Sequence, residues 1–113
     1  MHELSLCRSI FSIVDRASAG RDVTVVHLQV GKLRQVVPDS LRYCWTLMSD
    51  QTSLGGSILD IDLIDITLAC QDCAVVSRVE HDLILLCSGC GSRMVTVATG
   101  EEFFLTSLDL AEA

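Results

Sequence analysis

Two Cys-x-x-Cys pairs, Cys70 with Cys73 and Cys87 with Cys90, are separated by thirteen residues and constrain this chain more than anything else in it. A Cys-x-x-Cys pair sits in a tight turn that points both sulfurs at one ion. A connection of about 12 to 20 residues suits the hairpin that brings two such turns around a tetrahedral metal. Zinc is the expected occupant. Gly89 and Gly91 surround the last ligand, where a turn closing on a metal calls for positive φ, and Ser88 and Ser92 suit the same turn. A redox dithiol is the other chemistry such a pair supports, but no helical pattern follows either pair and two redox motifs in one short insert would be unusual. Four thiolates fill a tetrahedral shell and leave no position for water or substrate, so this zinc is expected to hold structure and do no Lewis-acid chemistry.

With 113 residues, half of them hydrophobic, the chain has material for one modest core plus a small appendage. No run approaches the roughly 18 apolar residues of a membrane span, and Met1-His2-Glu3 lacks the positive start of a secretory signal. A cytoplasmic protein away from membranes is expected. In that reducing compartment the six cysteines read as four metal ligands and two buried thiols, Cys7 and Cys44, to which no chemistry is assigned. Eight basic residues against 15 acidic ones give a net charge of −7, the wrong sign for backbone phosphate, so nucleic acid is not an expected partner. The cysteine segment itself has only Arg78 and Arg93 against Asp72, Glu80 and Asp82, with no basic stripe and no interleaved aromatics. A basic protein or a metal cation fits this balance better.

Leu6, Ile10, Ile13 and Ala17 recur at helical spacing, widened by Leu4, Cys7, Phe11 and Val14, and Gly20 stands where the helix should stop; residues 3–19 read as an amphipathic helix. Val26, Leu28 and Val30 alternate with His27 and Gln29 to give a half-buried strand over 23–33, with Gly31 at its end or at a bulge. Pro38-Asp39-Ser40 opens a second helix over 38–49, whose inward face is Leu41, Cys44, Trp45 and Met48. Leu59, Ile61 and Leu63 alternate with Asp60 and Asp62 before the phase flips to Ile64, Ile66 and Leu68, which predicts a long strand with a bulge. Residues 70–97 then form the zinc ribbon, with Val75-Val76 and Leu83 to Leu86 as strand material, and Phe104, Leu108 and Leu110 return as a strand of the first sheet. The expected fold class is α+β: a small sheet of about three strands with two helices packed on it, made of residues 1–69 and 98–113, and an inserted zinc-ribbon domain at 70–97. So small a ribbon must draw its folding free energy largely from its metal.

The opening Met1-His2-Glu3 places an α-amine, an imidazole and deprotonatable amides within two residues, and nitrogen donors in a plane suit Ni(II) or Cu(II). From residues alone a histidine here also reads as an exposed terminal side chain. Met1-His2-Glu3-Leu4-Ser5-Leu6, Val30-Gly31-Lys32-Leu33, Pro38-Asp39-Ser40-Leu41-Arg42-Tyr43, and the Cys70/Cys73 and Cys87/Cys90-Gly91 pairs, in this order along nearly the whole chain, resemble the HypA/HybF family of hydrogenase maturation nickel metallochaperones. The resemblance implies that His2 is the essential nickel ligand, that Glu3 and the Met1 amine assist, and that Cys70, Cys73, Cys87 and Cys90 hold structural Zn(II). It further implies a protein that is not an enzyme, acts as a monomer or weak dimer, and passes Ni(II) to the hydrogenase large subunit, in some bacteria to urease, together with a HypB-type GTPase. Histidines that flank the cysteine pairs in some members have no counterpart here, since His81 lies six residues before Cys87, and Thr46 stands where members commonly carry an acid.

Other readings are less specific. His27 alternates with core residues and reads as a surface or hydrogen-bonded histidine; Asp60, Asp62 and Asp65 suggest a hard-cation site, but alternation turns at least two of them to a solvated face. No Ser/His/Asp or Cys/His nucleophile arrangement and no glycine-rich phosphate loop is present. The competing functions are a zinc-ribbon interaction adaptor without a second metal and, third, a thiol oxidoreductase.

Overall fold

The computed structural model describes residues 2–80 and 83–112, with only the backbone described for His2. The chain divides into two units: the first is Met1–Gln29, Val36–Asp62 and Phe104–Ala113, and the second, Val30–Gln35 with Leu63–Phe103, is inserted into it in chain order.

The first unit is built from two helices and a three-stranded sheet. Helix α1 (His2–Ser18) buries Cys7, Ile10, Val14 and Ser18. Its inward stripe is therefore turned by one residue from the Leu6, Ile10, Ile13 and Ala17 row, and Ile13 and Ala17 are exposed. The helix stops where Ala19 and Gly20 turn left-handed, with φ of 50° and 82°, and the Arg21 amide donates back to the Ser18 carbonyl at 3.0 Å. Helix α2 (Pro38–Ser49) begins with the proline in its first turn, where a missing N–H costs nothing, and Asp39 beside it complements the helix dipole. It buries Leu41 and Trp45 and packs against α1, Phe11 lying 6.0 Å from the Trp45 ring, centroid to centroid. Trp45 is 1 % exposed, and its indole N–H donates to Ser57 Oγ at 2.9 Å, which in turn donates to the Leu54 carbonyl at 2.6 Å. The largest side chain of the core thus enters it with no polar atom orphaned.

Strand β1 (Val23–Gly31) is the middle of the sheet, between β2 (Ile58–Ile64) and β6 (Phe103–Leu110). Val26, Leu28 and Val30 are buried on one face of β1, and the alternate Val25, His27 and Gln29 are half-buried on the other.

The second unit carries its own antiparallel sheet in the order β4-β3-β5, formed by β3 (Thr67–Cys70), β4 (Val76–Arg78) and β5 (Val95–Thr99). Two sequence expectations change here. Residues 59–68 are not one bulged strand: β2 ends at Ile64, β3 starts at Thr67 in a different sheet, and the phase flip marks the passage between sheets at Asp65 and Ile66. Leu83 to Leu86 form no strand and are 39–58 % exposed; the third strand is Val95–Thr99, which pairs with β3, whereas the 83–86 run has no ladder to join. The architecture remains α+β, a three-stranded sheet with two helices and an inserted ribbon-like unit. Among the described residues no helix is long and apolar enough to cross a membrane.

Gly31 ends β1 ahead of a 3-10 turn over Lys32–Arg34, so the strand stops short of Leu33. The chain comes unusually close here: the Gly31 amide donates to the Glu102 carbonyl at 2.7 Å, the Leu33 amide to the Gly100 carbonyl at 2.9 Å, and a Cβ on Gly31 would stand 2.0 Å from Gly100 O. Only hydrogen fits at that position. Gly31→Ala is expected to destabilise the protein by about 1–3 kcal/mol or more, the usual cost of forced overpacking. Denaturant titration monitored by far-UV circular dichroism, where the midpoint falls at unchanged slope, checks this.

Candidate metal centre

The two Cys-x-x-Cys turns are copies of each other in backbone geometry. In the first, the Cys70 amide donates to the Val75 carbonyl at 3.0 Å, the Ala74 amide donates to the Cys70 carbonyl at 3.2 Å, and Ala74 is left-handed with φ 62°. In the second, the Cys87 amide donates to the Ser92 carbonyl at 3.0 Å, the Gly91 amide to the Cys87 carbonyl at 2.8 Å, and Gly91 has φ 75°. Such a turn aims the amides of the next residues at the first sulfur. Asp72 N and Cys73 N each lie 3.4 Å from Cys70 Sγ, and Gly89 N lies 3.3 Å from Cys87 Sγ. Amide donors of this kind stabilise a thiolate, the form of cysteine that binds a metal.

All four sulfurs lie within 4.8 Å of one another, with Cys73 Sγ 3.5 Å from Cys87 Sγ and Cys70 Sγ 3.7 Å from Cys90 Sγ. Sulfurs bound about 2.3 Å from a single tetrahedral ion stand about 3.8 Å apart, so the cage has the dimensions of a four-thiolate metal centre. One shared cage also separates this arrangement from two independent redox dithiols, whose partners need contact only within each pair. Cys70 and Cys87 are buried, Cys73 and Cys90 exposed. Each turn therefore contributes one inward and one outward ligand.

The cage is electrostatically unsettled without a cation. The Cys90 and Gly89 amides pull the Cys87 thiol down to about 6. At Cys90 the Ser92 amide pulls downward too, but contacts with the Cys70 and Cys73 sulfurs, with desolvation, outweigh it and push the thiol up to about 12. Cys73 is favoured as a thiolate by the Val75 amide, yet the Cys87 sulfur and desolvation raise it overall. One anion is easy to form here and four together are not, which is the condition a bound dication relieves.

A second layer supports the ligands. Ser92 donates its hydroxyl to the Asp72 carboxylate, linking the two turns, and its Oγ accepts from the Met94 amide at 3.0 Å; the Gln71 amide reaches the Met94 carbonyl at 2.8 Å. Sequence reading took Ser92 only as a turn residue and Asp72 only as a charge. Their spacing from Cys87 and Cys70 was the available signal, but nothing in the sequence paired them.

Met1 and the His2 side chain, two of the three expected nickel ligands, lie outside the described residues, as does His81; Glu3 occupies the first turn of α1. Cys7 is fully buried, its thiol 3.5 Å from the Leu41 carbonyl and pushed up to about 11 by burial first and then by Cys44 and Glu3, the setting of an inert core thiol. Among the described residues, the carboxylates Asp60, Asp62 and Asp65 form no metal-holding group, and Asp65 is engaged by cations. It pairs with Lys32 at 2.5 Å and Arg78 at 3.2 Å, and these cations, Lys32 foremost, hold its carboxyl below the usual range.

Residues 1–110 match the family model described as "Hydrogenase/urease nickel incorporation, metallochaperone, hypA". The chain belongs to the HypA family. Relatives named hydrogenase maturation factor HypA include one from Nostoc sp., 33 % identical over 112 residues and covering 99 % of this chain and 97 % of its own. Another, from Geobacter sp., is 36 % identical over 110 residues, covering 97 % and 99 % respectively. The solution structure of the Ni metallochaperone HypA from Helicobacter pylori is similar in fold, with a TM-score of 0.68 over 97 % of both chains at 22 % identity. The HypA family is named for maturation and metal delivery rather than for a catalysed reaction. Its members share with this chain the fold, and this chain contributes a four-cysteine cage able to hold a metal ion.

Proposed function

We propose that this protein is a nickel carrier that binds Ni(II) at its amino terminus and delivers it during maturation of nickel–iron hydrogenase, while Zn(II) in the Cys70, Cys73, Cys87 and Cys90 cage holds the fold. The nickel donors are the Met1 amine, the His2 amide and imidazole, and Glu3. The observation that carries the reading is membership of a nickel-incorporation family across residues 1–110 combined with a Met1-His2-Glu3 opening that leads directly into α1. Nitrogen donors arranged in a plane favour Ni(II), and a site with few ligands at a chain terminus exchanges its ion readily. A closed sulfur cage does the opposite, so cargo and structural ion are kept apart by exchange rate. We assign the nickel role to residues 1–69 and 98–113 and the zinc role to residues 70–97.

The partners are a HypB-type GTPase and the hydrogenase large subunit, which accepts the ion by ligand exchange. The net charge of −7 supports protein and cation partners rather than nucleic acid, and the site of action is the cytoplasm. No catalysed reaction is assigned.

Calorimetric nickel titration of the zinc-loaded, untagged protein tests the proposal, with an N-terminally extended form alongside. One site of about micromolar affinity, ~8 kcal/mol of binding free energy, is expected for the native start, and marked weakening for the extended form. An intact, unextended protein that takes up no Ni(II) would leave the zinc-ribbon adaptor as the better reading.

A further inference from the structure

On the sheet of the first unit, His27 of the central strand β1 is held from both sides. Its Nδ1 lies 2.8 Å from Asp60 Oδ2 on β2, and its Nε2 lies 3.1 Å from Asp109 Oδ2 on β6. A neutral imidazole has one N–H and one lone pair. With a carboxylate oxygen against each nitrogen, a neutral ring would turn that lone pair onto an anion, whereas the imidazolium donates to both.

Arg42 of α2, whose Nε donates to the Leu59 carbonyl at 3.4 Å, pairs with Asp39. The neighbouring outward side chains of β1, Val25 and Gln29, are uncharged, Asp62 on β2 is a further acid, and Thr106 of β6 donates its hydroxyl to the His27 carbonyl at 3.1 Å without touching the ring. Among the described residues, neither Asp60 nor Asp109 pairs with a lysine or arginine. We propose that His27 acts as a pH-sensitive strut, its imidazolium form tying both edge strands of this sheet to the central strand through Asp60 and Asp109.

The Asp109 hydrogen bond first, then that of Asp60, raises the His27 pKa above its ordinary value, against a smaller opposing effect of desolvation. The sign of the pH dependence follows. A group whose folded value lies above its unfolded value of about 6.5 contributes fully below that pH, and the contribution is lost as pH rises through the folded value. The strut therefore loosens on the alkaline side. Because the ring is solvent-accessible, protonation is a sharper readout than stability.

Long-range 1H–15N correlation spectra of the full-length, zinc-loaded protein, recorded from about pH 5 to about pH 9, report both ring nitrogens of each histidine. His27 is expected to titrate above the reference of about 6.5 and to carry protons on both nitrogens below its midpoint. Asp109→Asn and Asp60→Asn, both at exposed carboxylates, are each expected to move that midpoint downward. Titration of His27 at or below the reference in the parent protein overturns the proposal without any variant, and a midpoint that neither Asn substitution moves overturns the two-sided tie.

Discussion

Removing the metal from the four-cysteine cage is expected to unfold the second unit. Of residues 63–103, the described hydrophobic side chains that are buried are Ile66 and Leu68 together with Cys70 and Cys87. The first unit, by contrast, buries Ile10, Val14, Val26, Leu28, Leu41, Trp45, Leu54 and Leu59. Even with Val30 from its shorter segment, three buried aliphatic residues do not order a unit of this size, so the sulfur cage must supply the remainder, and structural zinc supplies on the order of 10 kcal/mol or more to a site of this kind. Cys87→Ser should be the most damaging of the single ligand changes. It removes the thiol that two amides already favour as an anion, at a position only 3 % exposed. Amide resonances of residues 63–103 should collapse toward random-coil positions in this variant or on zinc chelation, while the far-UV helical signal of α1 and α2 persists. Retention of native dispersion in that region after complete zinc removal, verified by metal analysis, contradicts a metal-dependent fold.

His2→Ala is expected to weaken nickel binding by at least tenfold, more than about 1.4 kcal/mol, with no change in zinc content or in thermal midpoint. The selectivity of the effect is what matters. A residue that contributes only to helix α1 would alter stability and leave a nickel site intact, whereas a ligand alters nickel affinity alone. Glu3→Gln should have the smaller effect, because its amide nitrogen survives the change. Equal nickel affinity in His2→Ala and the parent removes His2 from the site.

Much of this was legible in the residues, and the places where it was not have physical causes. Both helix starts and the turn at Gly20 follow from local chemistry, and Cys-x-x-Cys spacing locates the cage because only a few residues decide each turn. The inward face of α1 was misplaced by one position. Leu6, Cys7, Ile10, Phe11, Ile13 and Val14 span about 160° of the helix circumference, so two stripes at i, i+3, i+4 spacing fit within the apolar arc and packing against α2 selects between them. Strand assignment failed where pairing rather than propensity decides. Leu83 to Leu86 has a strand-like composition and stays irregular, while Val95–Thr99, with two threonines, becomes a strand because β3 offers it a ladder. The flip at Ile64 is equally silent about whether a chain bulges or changes sheet.

At the centre itself, the four cysteines that gather were visible and their supports were not. The Ser92 to Asp72 link depends on how two distant turns meet. Likewise His27 was recognisable as a hydrogen-bonded histidine, but its two carboxylates both come from more than 30 residues later in the chain, on the two strands that flank β1.

The account rests on two metals held by different atoms for different lengths of time. X-ray absorption at the nickel and zinc edges of a single sample, the untagged protein loaded with one equivalent of each ion, reads both coordination shells directly. The account predicts nitrogen and oxygen donors without sulfur around nickel and four sulfurs around zinc. Sulfur in the nickel shell, or a zinc shell that loses sulfur when nickel is added, would show the two ions competing for Cys70, Cys73, Cys87 and Cys90 and contradict the separation on which the function depends.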